Sequence, residues 1–96
     1  MKSKIYSLKE LSSKIRNLQK KEKRVVLCHG CFDVLHFGHN RHFIEAKKAG
    51  DCLVVTVTPD RFVNKGKDRP IFSENYRAEL LSGLQVIDYV AINEWK

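Results

Sequence analysis

Apolar residues recur at Ile5, Leu8, Leu11, Ile15 and Leu18, with polar and charged residues between them. This spacing predicts an amphipathic helix over residues 5–20. Ser7-Leu8-Lys9-Glu10 has the form of a capping box that would start it. Residues 20–24, all charged, read as a hinge. Beyond them the pattern changes. Residues 25–28 are a short apolar run, the mark of a buried strand. Residues 53–58 form a second run, continuous and rich in β-branched side chains, as parallel sheets require. Residues 40–49 return to helical spacing, with Phe43, Ile44 and Ala46 as inward positions and Gly50 as the C-cap. A charged loop, 59–70, leads to another helix that starts at Ser73 or Glu74 and runs through Tyr76, Leu80 and Leu81 towards Gly83. Residues 88–92 read as a third short strand.

Strand, helix, strand, helix, strand predicts a βαβαβ unit with right-handed crossovers. The fold class is therefore α/β, with a Rossmann-like parallel sheet in which residues 25–28 lie beside residues 53–58. Ligands of such sheets sit beyond the carboxyl ends of the strands. Three segments reach that end: residues 30–39, Thr58-Pro59-Asp60, and residues 93–95. The expected organisation is a basic N-terminal helix and hinge, 1–24, followed by one domain, 25–96, with a modest core.

The formal net charge of +7 changes where a partner would be sought. Residues 1–24 carry nine Lys/Arg and two Asp/Glu, whereas residues 25–96 balance at nine of each. The excess belongs to the arm, not to the candidate site. Its lysines lack interleaved aromatic residues, which argues for a solvated helix face and against nucleic-acid binding. No apolar run is long enough to span a membrane, and no signal-peptide stretch is present, so the expectation is a cytoplasmic protein that needs no membrane. Cys28, Cys31 and Cys52, an odd number without a secretion signal, fit reduced thiols.

The chemistry concentrates in Gly30-Cys31-Phe32-Asp33-Val34-Leu35-His36-Phe37-Gly38-His39. Two glycines and two histidines leave a strand and enter a helix. A helix N-terminus offers free backbone N–H groups and partial positive charge, a place to hold phosphate. Neither G-x-G-x-x-G nor G-x-x-x-x-G-K-[ST] follows the first strand. His36-Phe37-Gly38-His39 is thus the phosphate-binding candidate, with Gly38 allowing close approach to the backbone. Its imidazoles would be donors for charge that shifts in a transition state. Cys28 and Cys31 followed by His36 and His39 are zinc-type ligands, but the gap between the pairs is too short for a finger and Cys28 belongs in a strand. No metal site is expected. His29 and His42 read as local or surface residues, and Phe62, Phe72 and Tyr76 as packing.

The pattern G-C-F-D-x-L-H-x-G-H resembles the signature of the cytidylyltransferase-like nucleotidyltransferases. The Lys-Arg-Val-Val run at 23–26, Ala49-Gly50-Asp51, Arg69-Pro70 and Arg77-Ala78-Glu79 are similar to the adenylyltransferase domain of bacterial bifunctional heptose kinase/adenylyltransferases and their sugar-phosphate relatives. The resemblance implies that His36 and His39 contact the nucleotide phosphates and that Gly30, Cys31 and Phe32 form the loop near the α-phosphate. It places Asp33 at the site's edge, orienting substrate or loop. Lys65 would reach the phosphates from the loop after the second strand, and Arg77 would project towards acceptor or nucleotide. Thr58, Asp60 and Arg69 fall at substrate-binding or supporting positions. The implied reaction is attack by a sugar or polyol phosphate on the α-phosphate of ATP or CTP, with Mg²⁺ accompanying the nucleotide and pyrophosphate leaving. The family's second motif, a Ser/Thr-rich turn beyond the third strand, is not reached before Lys96. The chain is therefore expected to be the first half of the family's domain, either part of a longer protein or completed by a partner, and a homodimer or a fusion to further domains is expected among its associations. The alternative is a non-catalytic nucleotide-binding or regulatory module that keeps only the first phosphate site.

Overall fold

The computed structural model describes residues 3–63 and 70–94. Helix α1 (Leu8–Lys20), strand β1 (Val25–Gly30), helix α2 (Phe37–Lys47), strand β2 (Cys52–Val57), helix α3 (Glu74–Ser82) and strand β3 (Tyr89–Ile92) follow in that order, with a 3-10 turn at Asp60–Phe62. β2 lies between β1 and β3, and both pairings are parallel. Val25 aligns with Cys52 and Gly30 with Val57, while Val54 aligns with Tyr89 and Val57 with Ile92. All of β2 is buried, which is why Cys-Leu-Val-Val-Thr-Val shows no alternation: a central parallel strand is covered on both faces.

The pleat sorts strand side chains between two layers. Leu53, Val55, Val57 and Val90 meet Phe43 of α2, Ala78 and Leu81 of α3, and Ile87. Cys52, Val54 and Ala91 point the other way, against Leu11 of α1, with Leu8, Ile15 and Leu18 alongside. Two helices thus cover one face of the sheet and α1 covers the other. Phe43, Leu53 and Leu81 are fully buried, and truncating any of them to alanine costs about 2–5 kcal/mol.

The capping box of α1 is formed. Ser7 Oγ accepts from the Glu10 N–H at 3.2 Å and Glu10 Oε1 accepts from the Ser7 N–H at 3.1 Å. The hydrogen bonds with Ser7 hold the Glu10 carboxyl below its ordinary pKa. The helix starts at Leu8, directly after its Ser7 cap, while Ile5, whose spacing read as helical, forms a parallel bridge to Val90. The Tyr6 N–H donates to Val90 O and the Val90 N–H to Lys4 O, each at 2.9 Å. The apolar spacing of Ile5 is met by a sheet edge. Tyr6 packs edge-on against Tyr89, and Lys14 Nζ stands 4.7 Å over the Tyr6 ring.

Other boundaries differ from expectation, β2 and β3 by a single residue. β1 continues to Gly30. α2 begins at Phe37, three residues before Asn40, for a reason that lies in the site itself. Its C-cap is Lys48, not Gly50. Gly50 instead sits where a Cβ would come within 2.7 Å of Arg24 O, so glycine there permits the approach of two chain segments. Ile44, read as inward, is 40% exposed. At the start of β2, the Asp88 carboxylate accepts from the Leu53 N–H at 2.7 Å and pairs with Lys47. Burial, followed by the Asp88 charge, pushes the neighbouring Cys52 thiol up to about 11. Among the described residues, no helix is long and apolar enough to cross a membrane.

Candidate phosphate-binding site

β1 ends at Gly30, on the carboxyl edge of the sheet, and hands the chain to a six-residue loop that ends at His36. His36 adopts an extended backbone and caps α2. Its Nδ1 accepts from the Gly38 N–H at 3.0 Å, while His39 Nδ1 accepts from the His36 N–H at 3.1 Å. The two imidazoles therefore form a reciprocal capping box, with ring centroids 4.1 Å apart. A backbone N–H can only donate, so each Nδ1 must be an acceptor. A neutral ring then carries its proton on Nε2. Both histidines are left with an Nε2–H donor not engaged by the helix cap.

Gly38 makes this possible. A Cβ there would lie 2.7 Å from His36 Cε1 and 3.0 Å from its Nδ1. The close approach expected of a phosphate over Gly38 is taken by the His36 imidazole. Burial, followed by the charges of His36 and His42, holds the His39 pKa below its ordinary value. That favours the neutral donor form.

His36 and His39 line one cavity of about 250 Å³ with Leu35, Phe37, Asn40 and Leu84. The two histidines, expected to face one pocket, line this cavity together. Leu84, from the turn after α3, and Asn40 were missed by sequence reasoning; nothing in the local pattern marks a residue 45 positions beyond His39 as its neighbour. The lining contains no carboxylate, which Mg²⁺ would require of a protein-held site. The residues around the histidines thus do not fit a resident Mg²⁺. Among the described residues, no three His, Cys, Asp or Glu side chains gather to hold a metal ion.

The other described candidates are not among the residues lining this cavity. The Asp33 carboxylate accepts from the backbone N–H groups of Ile71 and Phe72, at 2.7 and 2.8 Å. It orients a loop. Arg77 is fully buried. Its guanidinium donates to Cys31 O and Thr58 O at 2.8 Å each, to Phe72 O at 3.0 Å and to Asp60 Oδ1 at 2.6 Å. It faces the protein's own carbonyls, where the resemblance had it projecting towards acceptor or nucleotide. Thr58 and Asp60 are thereby tied to Cys31, and the Asp60 N–H donates to Glu74 Oε1 at 2.9 Å. Thr58 N–H also reaches Gly30 O at 3.0 Å, extending the ladder between the two strand ends. His29, at the end of β1, meets the hydroxyls of Thr56 and Thr58 through its two ring nitrogens, at 2.7 and 3.4 Å. Lys65 and Arg69 lie outside the described residues.

Known proteins resemble this chain in sequence and fold. Residues 27–96 match the family described as cytidylyltransferase-like. The Bifunctional protein HldE of Nitratiruptor sp. is 44% identical over 92 residues, 94% of this chain and 20% of its own length. That of Campylobacter concisus is 45% identical over 91 residues, 93% of this chain and 19% of its own. The chain spans about a fifth of the length of these curated relatives. Among solved structures, the lipopolysaccharide core biosynthesis protein from Thermoplasma volcanium superposes with a TM-score of 0.69 at 40% identity, covering 75% of this chain and 59% of that one. The motif carried on β1 and the start of α2, the parallel sheet behind it and these matches agree: the chain belongs to the cytidylyltransferase-like family.

Proposed function

We propose that the chain binds the phosphates of a nucleoside triphosphate at His36 and His39 and takes part in transfer of the nucleotidyl group to a sugar or polyol phosphate. The observation that carries this reading is the reciprocal capping of the two imidazoles, which leaves two Nε2–H donors beside one cavity at a helix N-terminus. An oxygen of the acceptor phosphate attacks the α-phosphorus of the triphosphate. The new P–O bond forms as the bond from the α-phosphorus to the bridging oxygen breaks, and pyrophosphate leaves with that electron pair. Negative charge spreads over the phosphoryl oxygens, and preorganised donors stabilise it most when they need no rearrangement. The helix cap supplies that preorganisation. Mg²⁺ would arrive on the nucleotide, since the pocket has no carboxylate to hold it.

The family supports nucleotidyl transfer in general. The HldE relatives support a sugar-phosphate acceptor, and their bifunctional character supports work beside further domains. The test is pyrophosphate release from ATP and from CTP with a panel of sugar phosphates, alongside nucleotide binding by calorimetry. Release that needs both substrates supports the enzyme. Binding without release indicates a nucleotide-binding module. Absence of both binding and release refutes the phosphate reading of the pocket.

A further inference from the structure

Phe32 has a φ of 51°, in the left-handed region that side chains rarely adopt. Such a conformation persists where its surroundings over-determine it. Both neighbours of Phe32 are anchored. On one side the Cys31 carbonyl accepts from Arg77 Nη1 at 2.8 Å. On the other the Asp33 carboxylate holds the Ile71 and Phe72 amides. Arg77 is itself fixed by Thr58 O, Phe72 O and the Asp60 carboxylate, with no exposure to solvent.

The anchored turn sends the Phe32 ring back over the end of β1. A Cβ on Gly30 would stand 2.8 Å from that ring. The ring packs edge-on against His39, with centroids 5.8 Å apart, and against Phe43 at 5.3 Å. An unbroken series of contacts therefore runs from a buried guanidinium, through a strained backbone, to an imidazole of the pocket.

We infer that Arg77 is a positioning residue for His39, acting through the left-handed turn at Phe32 whose ring backs the imidazole and keeps its Nδ1 on the His36 N–H. The functional meaning rests on the phosphate reading above; the effect on His39 geometry does not depend on any ligand. Arginine is required because one planar fork reaches carbonyls from three segments and a carboxylate, which an ammonium group cannot do.

Arg77→Lys keeps the charge and removes the fork. Long-range ¹H–¹⁵N spectra of the unliganded wild type should show His39 as a single Nε2–H tautomer. Arg77→Lys should show mixed tautomers, and its affinity for Mg²⁺-ATP or Mg²⁺-CTP should fall about tenfold. Leu11→Ala, on the opposite face of the sheet, provides a destabilised control whose His39 spectrum should stay as in the wild type. An unchanged His39 spectrum in Arg77→Lys overturns the inference, and so does an equal change in Leu11→Ala. If Arg77→Lys does not fold, Phe32→Leu carries the test at the next contact. Mixed tautomers there support the inference, and an unchanged spectrum overturns it. Failure of the wild type to bind any nucleotide would refute the proposed function alone, because the unliganded imidazole spectra still decide the role of Arg77.

Discussion

His36 does two separable things: its Nδ1 caps α2, and its Nε2–H is available to the pocket. His36→Asn separates them. Asparagine is among the best N-caps, so the helix should be left within about 0.5 kcal/mol of its present stability. Alanine loses the cap and should cost about 1 kcal/mol, which for a domain of this size lowers Tm by about 4–8 °C. Both variants lose the donor at the Nε2 position, which the shorter asparagine amide does not reach while its Oδ1 caps the helix. A hydrogen bond to an ionised phosphate oxygen contributes about 1.5–3 kcal/mol, so Kd for the triphosphate should rise about 10- to 150-fold in each. Calorimetric titration with Mg²⁺-ATP and Mg²⁺-CTP, paired with thermal unfolding, reads both quantities. The expected pattern is equal weakening of binding with a lowered Tm in the alanine variant only. Wild-type affinity in His36→Asn would refute the donor role. An asparagine variant that melts as low as the alanine variant would refute the cap.

Asp33→Asn replaces one acceptor with a donor facing a backbone N–H and should lower stability by about 1.5–3 kcal/mol; an unchanged urea midpoint would count against the loop anchor. Stability should also fall as pH drops below 6.5, the ordinary histidine value, because the unfolded chain takes up a proton that the environment of His39 disfavours. The loss continues down through the depressed folded pKa, so urea midpoints should slope less steeply with pH in His39→Gln, and identical slopes would contradict the assignment. Cys52, buried and with its thiol pushed up to about 11, should be alkylated only on unfolding; mass-spectrometric labelling of the native protein at the same rate as Cys31 would show otherwise.

The layers of the fold were legible because they rest on local pattern. The unbroken apolar run of β2, the Ser7–Glu10 capping box and the strand–helix alternation each follow from neighbours in sequence. The start of α2, three residues ahead of the helical spacing, is hidden in the sequence because its cap is an imidazole, which is not among the side chains that ordinarily mark a helix start. Ile5 kept helical spacing yet joined β3, since a sheet edge 85 residues away offered its backbone a partner. The site divides the same way. His36 and His39 were legible from spacing and family resemblance. The partners of Arg77 were not, because Cys31 and Thr58 lie 46 and 19 residues from it in sequence. Phe32 gave no sign of its backbone, because a positive φ at a phenylalanine is set by the contacts around it.

The pairing of residues 4–6 with β3 also bears on how the protein is made. α1 can coil as soon as it leaves the ribosome, since its cap and stripe are local. Its docking surface, however, joins Val54 and Cys52 to Ala91 and Tyr89, and the adjoining bridge waits for Val90. α1 thus emerges well before the strand that completes its cover. Until Val90 emerges, Leu11 and its neighbours stand open to whatever holds nascent chains, and the pairing of residues 4–6 with β3 is an event of high contact order.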